Sequence, residues 1–167
     1  MSRTRGFTLI EILIVVVLLA VVATVVVPTV ARSGTPAREG VLAANLSMLR
    51  RFVLVYSSHH QETGPGYTAG AGSALSAEAF ADQAMLASNV QGDTAARGTA
   101  GYPYGPYLSK VPANPFNGLA TIRMVADGEA MPAAADNSHG WIYKAATGQI
   151  RPGNSGTDEA GIAYYDY

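Results

Sequence analysis

The chain holds 167 residues, enough for one domain with an appended segment. Eleven Lys and Arg against twelve Asp and Glu give a net charge of −1, so there is neither the basic excess of a nucleic-acid binder nor the acidic run of a disordered tail. There is no cysteine, which excludes disulfides, thiolate catalysis and Cys-based zinc sites together but leaves the compartment open.

The first element is the apolar run FTLIEILIVVVLLAVVATVVV, residues 7–27. Glu11 is its one charge, and Phe7, Thr8 and Thr24 are its other non-aliphatic side chains. Twenty-one residues at about 1.5 Å each give roughly 31 Å of helix, close to the hydrocarbon thickness of a bilayer, so the run is expected to span a membrane once. Arg3 and Arg5 precede it without a neighbouring acid, which keeps the N-terminus cytoplasmic and sends the rest across. The alternative is a cleaved secretory signal. Its apolar region is normally about 7–15 residues, and no clear Ala-x-Ala site follows Val27. Glu11 costs on the order of 3 kcal/mol inside an apolar helix, which makes it a functional candidate; the competing reading is a carboxylate that snorkels to the nearby interface.

The sequence Gly6-Phe7-Thr8-Leu9-Ile10-Glu11 behind a short basic leader, with an uninterrupted apolar stretch ending at Pro28, resembles the N-terminal motif of type IV prepilins and type II secretion pseudopilins. The resemblance implies a leader of residues 1–6, removed after Gly6 by a membrane aspartyl peptidase that also N-methylates Phe7. It also implies assembly roles for Glu11 and Pro28. The expected organisation is then leader 1–6, transmembrane and assembly helix 7–27, and a periplasmic or extracellular head 28–167. Cleavage would remove both leader arginines, leaving nine basic against twelve acidic residues and a net charge of −3. In a helical stack of subunits, the new amine of Phe7 can pair with Glu11 of a neighbour. Leaving either charge unpaired is costly, so pairing favours one axial offset over others.

Pro28 ordinarily kinks or ends a helix, and Ser33-Gly34-Thr35-Pro36 is a second weak point, with Thr35 a good N-cap and Pro36 suited to a first turn. Leu42, Leu46, Leu49, Val53 and Tyr56 recur at steps of four and three, one face of a helix, while Arg38, Glu39, Arg50 and Arg51 lie mostly off it. Residues 7–60 therefore read as one long helix with kinks near Pro28 and Gly34, its second half laying an apolar face on the remaining domain. His59-His60 at its end could suggest a metal, but adjacent side chains diverge and zinc needs three or four convergent ligands, so favourable placement at a helix C-terminus is the plainer reading. Gly64-Pro65-Gly66 stops the helix.

Ser76 is placed to cap a short helix over 77–88, with Phe80 and Leu86 as anchors. Tyr102-Pro103-Tyr104-Gly105-Pro106-Tyr107-Leu108 and the following prolines read as an ordered loop. Its tyrosines could bind carbohydrate or peptide; the alternative is that they cover the sheet and the long helix. Leu119–Val125, Gly140–Ala145, Gln149–Arg151 and, more weakly, Ile162–Tyr165 read as strands, with a hairpin turning at Gly148. The fold class is α+β: a long N-terminal helix, its first half transmembrane, packed on a small antiparallel sheet in a pilin-like arrangement.

Tyr107-Leu108-Ser109-Lys110-Val111-Pro112-Ala113-Asn114-Pro115-Phe116 is similar to the segment before the sheet in the major pseudopilin of type II secretion. Two departures stand out. Many type IV pilins close a C-terminal loop with a disulfide, which this chain cannot form. Major pseudopilins often bind calcium in an acidic C-terminal loop, whereas Asn154–Gly161 offers few acids, and the expectation is a solvated turn with no tight calcium site.

Together these readings imply a non-enzymatic subunit of a type II secretion pseudopilus, with a type IV pilus subunit for adhesion, motility or DNA uptake as the alternative. Implied partners are copies of itself, prepilin peptidase, an inner-membrane assembly platform, minor pseudopilins and the membrane, with no nucleic acid, cofactor or metal. The implied location is the bacterial inner membrane, single-pass, with the head in the periplasm, and a pseudopilus or the cell surface after assembly. An anchored hydrolase is the reading from another class. The three histidines, His59, His60 and His139, belong to no Gly-x-Ser-x-Gly or His-Glu-x-x-His motif, and Ser138-His139 stands alone.

Overall fold

The computed structural model describes residues 8–167, without the side chains of residues 24–33. The chain divides into two compact units, Met1–Arg38 and Glu39–Tyr167. The first helix, α1, runs Leu9–His59. It is assigned without interruption past Pro28 and through Thr35-Pro36, so neither weak point ends it. Neighbouring turns keep their hydrogen bonds where one proline removes a single donor.

In the second unit, Leu42, Leu46, Leu49, Val53 and Tyr56 are all buried, as their spacing predicts, and Phe52 joins them. Beyond them α1 ends on two consecutive non-glycine residues with left-handed backbone, Gln61 (φ 56°) and Glu62 (φ 61°). Helix α2, Ala77–Met85, is capped by Ser76, whose Oγ accepts from the N–H groups of Glu78 (3.2 Å) and Ala79 (3.3 Å). Phe80 anchors α2 as expected. Leu86 does not: it is the C-cap and 36 % exposed. The helix stops there because Asn89 bends the chain, its Oδ1 accepting from Gln91 N and Asp93 N, each at 3.0 Å. This turn pairs β1, Ala87–Ser88, with β2, Thr94–Ala95.

The main sheet has the order β3 (Ile122–Val125), β4 (Trp141–Lys144), β5 (Gln149–Pro152). The hairpin β4–β5 is antiparallel, with a single 3-10 turn at Ala145–Thr147 and Gly148 at φ 66°, the left-handed conformation that glycine adopts freely. The expected all-antiparallel sheet is corrected at β3, which pairs with β4 in parallel. Residues 126–140 are long enough to carry the chain back to the starting edge, which a parallel pair requires. The expected fourth strand is also absent: Tyr164–Asp166 is a 3-10 turn, and only an isolated bridge, Thr157 to Ala163, forms nearby.

Central β4 alternates. Trp141 and Tyr143 enter the core shared with α1 and Phe80, and Ile142 enters a smaller cluster with Val125 and Tyr165. The Val111–Phe116 segment locks this strand to the helix. Trp141 Nε1 donates to Pro112 O (2.8 Å), and Asn45 Nδ2 of α1 donates to Ala113 O (3.0 Å). Fully buried Asn114 donates from Nδ2 to Gly140 O (3.0 Å) and Asn154 Oδ1 (2.6 Å), and accepts from Phe116 N (3.0 Å). Gly140 also lets β4 start hard against Leu119, since a Cβ there would stand 2.0 Å from Leu119 O. The Pro-Ala-Asn-Pro run is thus a clamp on the sheet.

Candidate functional site

The N-terminal end of α1 is where the chemistry singled out by the sequence gathers. Thr8 and Glu11 form a reciprocal cap. Glu11 Oε2 accepts from both Thr8 N and Thr8 Oγ1, each at 3.1 Å, and Thr8 Oγ1 accepts from Glu11 N at 3.3 Å. This is a capping box, in which N-cap and N3 side chains satisfy each other's free backbone donors. It places the carboxylate at the positive end of the helix dipole. The reading of Glu11 as a lone acid missed Thr8, although Thr8-Leu9-Ile10-Glu11 has the capping-box spacing. Glu11 Oε1 accepts from no donor among the described residues.

From Leu9 to Val22 the side chains of α1 are exposed all round, Leu9 at 86 % and Leu19 at 63 %. Water is a poor solvent for such a surface; lipid or the helices of other chains suit it. Among the described residues no helix is long and apolar enough to cross a membrane. The expected span 7–27 runs past the described side chains at both ends, beyond Thr8 and Ala23. Gly6 and Phe7, assigned to leader cleavage and N-methylation, lie outside the described residues, and so does the side chain of Pro28.

The other candidates resolve into structural roles. His60 is 2 % exposed, stacked on Tyr56 at 3.7 Å, with Nδ1 donating to Tyr56 O (2.7 Å) and Nε2 bonded to Ser88 Oγ (3.1 Å). Burial above all, with neighbouring His59 adding to it, lowers its pKa. His59 stacks on Tyr104 at 4.7 Å and bonds Tyr107 OH through Nδ1 at 3.0 Å. The tyrosines of the proline-rich loop therefore cover the end of α1. Tyr107 also meets Phe52 at 5.5 Å, and burial raises its pKa. No group of three or more His, Cys, Asp or Glu among the described residues is arranged to hold a metal.

Ser138 lies between Asp136 Oδ1 (2.5 Å) and His139 Nδ1 (2.7 Å). In a hydrolytic triad the histidine stands between serine and acid; here the serine does, so the acid cannot orient the base. Asp136 is instead held below the ordinary carboxylate range, first by the Ser138 hydroxyl, and pairs with Arg123 at 3.2 Å. A cleft of about 400 Å³ beside α2 is lined by Tyr67, Glu78, Asp82, Gln83 and Asp93, without a serine–histidine or cysteine–histidine pair. Gln83 at its wall is spent on backbone groups of Gly66, Tyr67 and Gly92.

Neither the curated proteins nor the solved structures provide a match to this chain. Residues 1–27 match the family model of the prokaryotic N-terminal methylation motif. Proteins with this motif are structural, processed by prepilin peptidase and assembled into filaments. The α+β architecture is consistent with a pilin-like fold. Over residues 1–27 the chain thus carries the prepilin-type signal characteristic of type IV pilins and pseudopilins.

Proposed function

We propose that this chain is the structural subunit of a type II secretion pseudopilus. In this reading residues 1–6 are cut off after Gly6, Phe7 is N-methylated, and the apolar helix 7–27 holds the subunit in the inner membrane until assembly. The head, residues 28–167, lies in the periplasm. Subunits then stack through their N-terminal helices, with Glu11 paired to the Phe7 amine of a neighbour and Pro28 ending the apolar stretch. Prepilin peptidase, an inner-membrane platform and minor pseudopilins are the partners.

The observation that carries the reading is the methylation motif over residues 1–27, continuous with an apolar helix surface exposed on every side. The capping box supports the role of Glu11, because Oε2 is engaged by Thr8 while Oε1 can still accept an amine. The Val111–Phe116 clamp, similar in sequence to the major pseudopilin segment, favours the pseudopilus over the type IV pilus, which is the second reading.

Mass spectrometry of protein made with the peptidase should find a chain beginning at methylated Phe7, and Gly6→Ala should leave Met1 in place. Glu11→Ala should be processed normally yet assemble at least tenfold less filament, about 1.4 kcal/mol of lost contact per tenfold. Intact Met1 on the mature protein would sink the reading. Filaments that need a secretion platform, and loss of secretion without the subunit, separate pseudopilus from pilus.

A further inference from the structure

We propose that the C-terminal loop, residues 153–163, is closed by its own Asp158 carboxylate where related subunits gather such a loop around calcium, so that the fold of this subunit is calcium-independent. The polarity of the loop carries this. Asp158 Oδ1 accepts from the backbone N–H groups of Ala160 and Ile162, both at 2.9 Å, and Oδ2 accepts from the Tyr167 hydroxyl at 2.8 Å. The loop therefore turns donors toward its centre and fills it with an anion. Calcium requires the reverse, six to eight oxygens converging at about 2.3–2.6 Å.

Several neighbouring oxygens are engaged elsewhere as well. Buried Asn154 accepts from Asn114 Nδ2 (2.6 Å) and donates to Ser155 O (3.2 Å), while Ser155 Oγ accepts from Asn137 Nδ2 (2.6 Å). Asp166 pairs with Arg151 at 3.2 Å, and Glu39 accepts from Tyr164 OH at 2.9 Å. Backbone bonds finish the closure: Asp158 N to Ile162 O (2.9 Å) and Tyr164 N to Gly156 O (3.1 Å). The N–H of Ile162 first, then the Tyr167 hydroxyl, hold the Asp158 carboxyl below its ordinary range. Through Tyr167 the carboxylate reaches the core, since that ring meets Tyr164 edge-on at 5.6 Å and Tyr164 stacks on Phe116 at 4.3 Å.

Thermal melting of the full chain in detergent micelles tests this, and its result does not depend on whether the filament is a pseudopilus or a pilus. The parent should melt at the same temperature in excess calcium and in EGTA, and calorimetry should detect no heat of calcium binding. Asp158→Asn should lower the melting temperature by about 3 °C in both media, and Tyr167→Phe by less. A saturable rise of the parent's melting temperature with calcium would overturn the proposal. So would Asp158→Asn and Tyr167→Phe both melting with the parent.

Discussion

Helix α1 offers two stretches that share a secondary structure and little else. Between Leu9 and Val22 the apolar side chains point outward on every side; between Leu42 and Tyr56 one stripe of them, Leu42, Leu46, Leu49, Phe52, Val53 and Tyr56, is buried, while Met48 and Leu54 stay exposed. Between the buried positions lie Arg50, Arg51 and Asn45, groups at home in water. One helix is thus written for two solvents. Its N-terminal part lacks a polar face and can be satisfied only by lipid or other chains, whereas its C-terminal part carries its own partner, the sheet, in the same polypeptide. One helix can therefore carry an exposed apolar surface in one stretch and a domain core in another.

The largest effect should come from substituting across that divide. Leu46→Ala removes a buried side chain and is expected to cost about 2–5 kcal/mol of head stability, read by denaturant or thermal unfolding. Leu13→Ala, the same chemical change on the exposed stretch, should leave that transition where it was. Equal losses at both positions would break the comparison. Next in size is Asn114→Ala, which strands Phe116 N and Asn154 Oδ1, while Gly140 O keeps its bond from Gly153 N, and should cost about 2–3 kcal/mol by the same measurement.

The junction at the end of α1 adds a pH dependence. His60 is buried, and its lowered pKa means that the fold favours the neutral imidazole. The unfolded chain takes up a proton near pH 6.5, so this contribution is complete above about that value and is lost as the pH falls below it toward the folded pKa. The groups around the ring are His59 and Tyr56 of α1, Ser88 of β1, the Asn89 backbone, and Tyr104 and Tyr107 of the proline-rich loop; none is a carboxylate, and the backbone groups of Tyr56 and Asn89 that favour the cation are outweighed by burial. The melting temperature should fall between about pH 7 and pH 5. His60→Gln should flatten that slope even if it lowers the plateau. The smallest effect is expected at Tyr143, whose hydroxyl is buried without a hydrogen-bond partner among the described residues. Tyr143→Phe should be neutral or stabilising by up to about 1 kcal/mol, because it removes a desolvated group that returns nothing.

Much of this was legible in short-range pattern. The stripe of α1 follows from steps of three and four, the Ser76 cap from one hydroxyl before a helical run, and the β4–β5 hairpin from Gly148 between apolar strands. The capping box at Thr8 and Glu11 was equally legible, since its two residues are three apart. Leu86 misled because an apolar residue at helical spacing looks like an anchor until Asn89 bends the chain away. Ile162–Tyr165 misled because its aromatic pattern suits a strand, while Asp158 and the Gly156 carbonyl take up its backbone donors locally.

By itself the sequence determined the features that depend on neighbours along the chain: the processing signal, the long helix with its two kinds of surface, the caps and the hairpin. Tertiary structure alone decided the features joining residues far apart in number. These are the parallel pairing of β3 with β4, the clamp of Asn114 on Gly140 and Asn154, the burial of His60 under Ser88, and the Asp158 closure reaching Tyr167. The physical reason is that helix periodicity and capping are set within a few residues, whereas strand direction and the partner of a buried polar atom depend on where the connecting loop returns the chain.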